Sequence, residues 1–172
     1  MRRTIVLLAT VLTMGVVMAQ DLSFNGGSYE YKRHCFGVEL GFGGAGDLCA
    51  DLGLRWQWNL NEYLAWDVIT VKAIADVESD FGDSITPEAL SGLRLISPDF
   101  FGMTAYINAR CGYAHNFSWE DGCFTFEVGA GFNITRHIYV GYAYNRLKFD
   151  DNEYGFETEA TNYHAFRLGF LF

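Results

Sequence analysis

Hydrophobic and polar residues alternate through the stretch "LCADLGLRWQWNL", residues 48 to 60, and this pattern recurs along the chain. The even positions of the stretch are all apolar, from Leu48 to Leu60, and the odd positions carry Cys, Asp, Gly, Arg, Gln and Asn. Because successive side chains on a β-strand point to opposite faces, the alternation predicts a strand with one apolar and one polar face. No long helical periodicity appears after residue 19.

Eight such segments predict an all-β, eight-stranded antiparallel up-and-down barrel. The predicted strands are 35 to 43, 48 to 60, 63 to 74, 89 to 97, 103 to 114, 123 to 133, 137 to 148 and 162 to 172. The connections after the second, fourth and sixth strands are short, whereas those after the third, fifth and seventh are long and polar. Short turns at one end and long loops at the other are typical of transmembrane barrels of the outer-membrane type.

The polar faces of these strands carry charges of both signs in mid-strand. We predict that eight of them form a charge network inside the barrel: Glu39, Asp51, Arg55, Asp67, Arg94, Arg110, Glu127 and Arg167. A surface in water has no need of such a balance, whereas a narrow interior must pair its charges. The strand lengths also match those needed to cross a bilayer. The alternative is a soluble eight-stranded barrel whose apolar face points inward and whose charged face meets water.

Aromatic residues gather at the short-turn end of the predicted strands. They predict an interfacial aromatic girdle formed by Trp56, Trp58, Tyr63, Trp66 and Phe132. Such a girdle is expected where the apolar band of a membrane barrel meets the lipid headgroups.

The first residues, "MRRTIVLLATVLTMGVVMAQ", predict a secretory signal peptide over residues 1–19. A transmembrane anchor is the alternative, but the apolar run is short for one. Residues 20–172 are then a single exported barrel domain. Without Arg2 and Arg3, 10 basic residues oppose 21 acidic ones, so nucleic acid is not an expected partner.

The chain resembles the small eight-stranded outer-membrane barrels of the OmpA-barrel and OmpX-like kind. The resemblance rests on the signal peptide, the eight alternating segments and the ending "FRLGFLF". The terminal signature of that family is carried here by Phe166, Leu168, Phe170 and Phe172, with His164 where an aromatic residue is common. This resemblance implies a location in the outer membrane of a Gram-negative bacterium and recognition of the last strand by the outer-membrane assembly machinery.

Two further features have open interpretations. Cys111 and Cys123 bracket a loop and would form a disulfide only if a bulge corrected their opposite strand parity. The long loops are acidic and predict a solvated rim. Weak binding of divalent cations, which would bridge the loops to lipopolysaccharide phosphates, is the less favoured alternative. That acidic set comprises Asp76, Glu78, Asp80, Asp83, Glu88, Glu120, Asp121, Asp150, Asp151, Glu153, Glu157 and Glu159.

Together these patterns favour a non-enzymatic outer-membrane barrel with a plugged lumen and acidic extracellular loops, in a structural or surface-interaction role. We expect no catalytic residue, no cofactor and no resident metal, with outer-membrane lipid and lipopolysaccharide as surroundings. A narrow channel is the first alternative, because the inner charges would also suit an ion path. A lipid-modifying enzyme is the second, although His164 has no serine on its own or the preceding strand to complete a catalytic triad.

Overall fold

The computed structural model describes residues 33–44, 48–76, 85–116, 121–149 and 161–172. The predicted signal peptide, residues 1–19, and most of the acidic loop residues lie outside these ranges. The strands are β1 (His34–Gly44), β2 (Leu48–Asn59), β3 (Leu64–Asp76), β4 (Ile85–Ile96), β5 (Thr104–Asn116), β6 (Asp121–Asn133), β7 (Ile138–Phe149) and β8 (Thr161–Leu171).

Each strand pairs antiparallel with the next, and β8 pairs with β1 to close the barrel. The eight-stranded up-and-down antiparallel architecture predicted from the sequence is therefore confirmed, with most strand ends within about two residues of the prediction. The two chain-terminal strands meet through a ladder that runs from Gly37↔Leu171 to Gly44↔His164. No helix among the described residues is long and apolar enough to cross a membrane.

Most charged side chains of the strands point into the barrel, and most large apolar side chains point outward. Arg55 and Glu127 are almost completely buried, whereas Leu54 is 65% exposed, Phe124 65% and Phe166 73%. This distribution is the reverse of a soluble barrel, whose apolar face would fill the interior. The outward apolar run of β6, from Phe124 to Phe132, covers nine residues, or about 23 Å at the usual rise and tilt of a barrel strand.

A β-bulge interrupts the alternation of β3. Gln57 of β2 pairs with Asp67 while Trp56 pairs with Ile69, so Val68 is an extra residue in the ladder. The ladder from β3 to β4 shifts at the same place. A bulge of this kind lets side chains on both sides of it return to the same face. As a result Asp67 and Lys72, five residues apart, both point inward.

The strand β4 begins four residues earlier than predicted, at Ile85, and includes Pro87. Pro87 pairs with Ala73 of β3, but the pairing of β4 with β5 begins only at Glu88. The missing N–H of proline therefore leaves no gap in the β4–β5 ladder, which explains why a proline is tolerated here.

The prediction that Glu88 belongs to an acidic loop rim is wrong, because Glu88 is buried in this strand. Asp76 and Asp121 likewise lie in the ends of β3 and β6.

Glycines on the inner face stand beside long side chains of neighbouring strands. The three atoms nearest to a Cβ added at Gly41 would all belong to the carboxylate of Asp51, its partner in β2. At Gly169 they would all belong to the ring of Tyr139, its partner in β7. Because eight strands enclose a narrow space, glycines beside some of the largest inner side chains leave room for them.

The predicted girdle residues lie at the short-turn end on the outer surface. Trp58 lies beside Trp66 with ring centroids 6.1 Å apart and ring planes tilted by 35°, and Phe132 meets Phe100 edge-on at 6.2 Å. Phe101, at the tip of the turn between β4 and β5, is 99% exposed and has a φ of 55°. This backbone conformation is rare for a bulky side chain. The remaining two girdle positions, Trp56 and Tyr63, lie in β2 and in the turn that follows it.

The residues of the terminal signature, Phe166, Leu168, Phe170 and Phe172, form the outward row of the last strand. The backbone N–H of Phe172 donates to the carbonyl of Phe36 at 2.7 Å, which extends the contact between β8 and β1.

Cys111 and Cys123 form no disulfide, because the bulge that would correct their parity is absent. The ladder between β5 and β6 has no bulge, and it places Cys111 opposite Phe126 and Cys123 opposite Ala114. Cys111 is exposed on the outer face and Cys123 is buried on the inner face. No disulfide joins any of the four cysteines, all of which lie in described strands.

Candidate functional site: the charged barrel interior

Among the described residues, ten charged side chains are buried inside the barrel, and their charges sum to zero. The five acidic members are Glu39, Asp51, Asp67, Glu88 and Glu127, and the five basic members are Arg55, Lys72, Arg94, Arg110 and Arg167. All eight residues of the predicted charge network are among them. Lys72 and Glu88 are the two that the sequence analysis missed.

A first cluster lies toward the short-turn end. Arg55 donates through Nε to Asp67 at 2.9 Å and pairs with Glu39 at 3.2 Å. Arg110 comes from the opposite wall and donates to Asp67 at 2.8 Å and to Glu39 at 2.8 Å and 3.0 Å. Two guanidinium groups thus share two carboxylates. Such charge-assisted hydrogen bonds from planar guanidinium groups give the cluster a defined geometry.

A second cluster, centred on Glu127, lies toward the long-loop end. Lys72 approaches Glu127 at 2.5 Å and Arg167 donates to it at 2.7 Å, while Arg110 joins the two clusters at 3.2 Å. Three cations therefore surround one carboxylate. Lys72 also pairs with Glu88 at 2.9 Å. On the other side Arg167 pairs with Asp51 at 2.5 Å.

Uncharged polar side chains complete the coordination of the inner carboxylates. The hydroxyl of Tyr139 donates to Glu39 at 2.5 Å, and that of Tyr163 donates to Asp51 at 2.7 Å. Asn145 donates to both oxygens of Glu88, at 2.7 Å and 2.8 Å. These contacts satisfy acceptors that would otherwise be buried without a partner, which is costly in a poorly hydrated space.

Arg94 is held differently from the other four bases. Its guanidinium carbon lies 3.8 Å from the ring centroid of Tyr106 and 4.7 Å from that of Tyr139. It forms no ion pair within the described part of the chain, although the sequence analysis placed it in the charge network. Tyrosine rings attract a cation through their quadrupole. Arg94 therefore belongs to the interior as an aromatic-stacked cation and not as a salt-bridge partner.

An apolar cluster lies above the charges at the long-loop end. It is formed by Cys49, Ile74, Ala114, Cys123, Leu147, Tyr163 and Ala165, all on the inner face. The interior thus changes from charged to apolar toward the loops.

Little space remains among the inner side chains. A cavity lined by residues that include Glu39, Arg94, Arg110 and Glu127 has a volume of about 10 Å³. This is roughly the space that one water molecule needs. This cavity is too small to hold a hydrated ion.

Lys72 and Glu88 were missed for two separate reasons. The bulge at Val68 reverses the parity of β3, so simple alternation places Lys72 on the outer face together with Trp66. Glu88 follows Pro87, and a proline argues against the interior of a strand. Lys72 and Glu88 have opposite charges and face each other directly in the ladder between β3 and β4. This charge complementarity across the hairpin is the signal that would have revealed both residues.

His164 lies on the outer surface, away from the charge network. Its Nδ1 is hydrogen-bonded with the hydroxyl of Tyr142, and its ring lies 5.0 Å from that of Tyr144. No group of three or more His, Cys, Asp or Glu side chains in the described ranges is arranged to hold a metal ion. The arrangement of the interior is therefore one of mutual neutralisation, with each carboxylate held by one or more cations.

No family model matches this chain, and no curated protein matches it. A solved structure titled "De novo design of transmembrane beta-barrels" is similar to it, with 14% sequence identity and a TM-score of 0.47. The alignment covers 84% of this chain and 100% of the designed one.

Proposed function

We propose that the protein is an integral outer-membrane barrel, closed by its own inner charges, with a structural or surface-interaction role and no enzymatic activity. The observation that carries the proposal is the reversed distribution of side chains. In the part of the chain that the structure describes, ten charged residues are buried inside, while the outer face presents large apolar side chains such as Leu54 and Phe166 to the surroundings. An exposed apolar surface that surrounds the whole barrel is stable only in contact with lipid or another apolar phase.

A Gram-negative outer membrane is supported by the two ends of the sequence. The first 19 residues have the composition of an export signal. The last strand carries the alternating aromatic ending that resembles the assembly signature of outer-membrane barrels. We infer that the assembly machinery of that membrane is a partner of the chain, and that the acidic segments between the strands face the outside. Weak divalent-cation binding at those segments stays a prediction, since most of their residues lie outside the described ranges.

Closure of the lumen is supported by packing and by charge. A cavity of about 10 Å³ is left beside the charge network. Opening a path would separate buried ion pairs, and an uncompensated buried charge costs several kcal/mol. A plug is therefore favoured over a channel.

The proposal is tested by folding the purified chain into phosphatidylcholine vesicles and then recording currents in planar bilayers. We expect a folded, heat-modifiable band on electrophoresis and no stable open conductance, with rare small flickers at most. Failure to fold into vesicles would refute the membrane assignment. Steady ion-selective currents would instead make the protein a narrow channel, and a mass change in lipid A incubated with it would make it a lipid-modifying enzyme.

A further inference from the structure

Arg146 and Lys148, at the long-loop end of β7, form a cationic patch on the described outer surface of the barrel. Both side chains point outward and are exposed. Histidines aside, they are the charged side chains on the outward face of the described strands. Neither forms an ion pair or hydrogen bond with a described residue. Two exposed cations beside an apolar band are placed to attract a ligand that carries negative charge.

Polar groups on β8 lie beside these cations. Asn162 is the direct ladder partner of Arg146, and His164 is the partner of Tyr144. The Tyr144 hydroxyl donates to Oδ1 of Asn162 at 2.7 Å, so that the amide N–H groups of Asn162 are left for another acceptor. This corner of β7 and β8 therefore offers cations and hydrogen-bond donors together.

Apolar rings adjoin the same corner on the β6 side. Lys148 is opposite Phe124, and Arg146 is opposite Phe126. Phe124 is 65% exposed and Phe126 is 42% exposed. A ligand bound here would thus have cations at its polar end and aromatic surface along its apolar part. This combination matches a phosphorylated lipid lying along the wall of the barrel.

We propose that Arg146 and Lys148 bind the phosphate groups of a lipopolysaccharide molecule, with its acyl chains lying against Phe124 and Phe126. Arg146 and Lys148 are two residues apart on one strand, about 7 Å along it. They can therefore contact different oxygens of one phosphorylated headgroup. The choice of lipopolysaccharide rests on the proposed function, which places the long-loop end of the barrel at the outer leaflet. This binding mode differs from divalent-cation bridging at the acidic loops, because the side chains of Arg146 and Lys148 contact the phosphate directly.

The experiment uses the chain from Gln20 to Phe172, folded in a neutral detergent and mixed with lipid A, with bound lipid counted by native mass spectrometry. The variant is Arg146→Gln combined with Lys148→Gln. The matched control removes the same number of charges from the opposite end of the barrel, through Arg33→Gln combined with Arg136→Gln. Both double variants must show the heat-modifiable folded band before binding is measured.

We expect the affinity for lipid A to fall by roughly tenfold or more in the Arg146 and Lys148 variant and to stay unchanged in the control. Lipid A stripped of its phosphates should bind the unmodified protein as weakly as intact lipid A binds the variant. Equal binding by the variant and the unmodified protein would overturn the proposal. So would equally tight, Arg146-dependent binding of phosphatidylglycerol, or displacement of lipid A by inorganic phosphate. Folding into phosphatidylcholine vesicles involves no anionic lipid, so failure there would refute the proposed function separately.

Discussion

The inner and outer faces of this barrel are built from alternate residues of the same strands, yet they follow different rules. On the inner face, Glu127 has three cations within 3.2 Å, so the identity and length of each partner matter. On the outer face, neighbours such as Leu52 and Leu54 are exposed side by side and share no specific contact of this kind. A fluid surrounding accepts any apolar shape, whereas a packed interior accepts one arrangement. We therefore expect the inner face to be sensitive to the identity of each side chain and the outer face only to its polarity.

The largest expected effect comes from the inner face, in the variant Glu127→Ala. The substitution leaves Lys72 and Arg167 without one of their carboxylate partners, and breaking a buried ion pair costs about 3 to 5 kcal/mol. The midpoint of urea unfolding in phosphatidylcholine vesicles should fall accordingly, and current flickers in planar bilayers should become more frequent. Glu62→Ala, which removes an exposed acid from a short turn, is the matched control and should leave the midpoint unchanged. Equal stability of the two variants would mean that the network does not hold the barrel together.

The next largest effect is expected for Leu54→Arg, which tests whether the outer face is sensitive to the polarity of its side chains. Leu54 lies near the middle of β2 and is 65% exposed. A cation at the middle of the bilayer costs about 2 to 4 kcal/mol, whereas one near the interface costs about 0 to 1 kcal/mol. Leu48→Arg, on the same face of the same strand but at its long-loop end, is therefore the control. If folding into vesicles shows the same loss for both variants, the assignment of the outer face to lipid is wrong.

A smaller effect is expected from added volume on the inner face, in the variant Gly169→Ala. The new methyl group would collide with the ring of Tyr139, and overpacking of a dense interior costs about 1 to 3 kcal/mol. The same substitution in a Tyr139→Leu background should cost less, because the colliding ring is gone. Unfolding midpoints of the four proteins give the coupling between the two positions. If the stability losses of the two substitutions simply add, the close approach of the Tyr139 ring does not restrict the side chain at position 169.

Deletion of Phe172 is expected to have the smallest effect on stability but a large effect on assembly. The deletion removes the backbone contact with Phe36 and leaves the described ladders intact, so the unfolding free energy should fall by about 1 kcal/mol. Assembly in cells should decrease much more if the last strand is recognised by its aromatic ending. The measurement is the amount of heat-modifiable protein in the outer-membrane fraction, and Phe101→Ala at a turn tip serves as control. Normal amounts in the deletion strain would contradict recognition of this ending.

Alternation along the sequence was sufficient to predict which face most residues occupy, and it failed where the backbone departs from regular pairing. It placed Arg55 and Glu127 inside without reference to any partner, because parity alone decides the face. It missed Lys72 because a single bulge changes parity, and a bulge leaves little trace in a sequence. The ion pairs that form across the barrel could not be predicted from the sequence either. Glu39 and Arg110 are separated by 71 residues and meet only because strand tilt and closure bring β1 and β5 to one height. The stacking of Arg94 between Tyr106 and Tyr139 depends on the same three-dimensional offset.

The equal number of acids and bases among the described inner residues has a consequence for the response to membrane voltage. An electric field across a bilayer acts on each buried charge, at about 2.3 kcal/mol per elementary charge for every 100 mV. The forces on the five cations and the five anions oppose one another, so the field exerts no net pull on the network as a whole. Only a cation that moves past its own carboxylate would transfer charge, and that movement is opposed by the ion pairs themselves. A change of membrane potential therefore polarises the inner network of ion pairs but does not displace it.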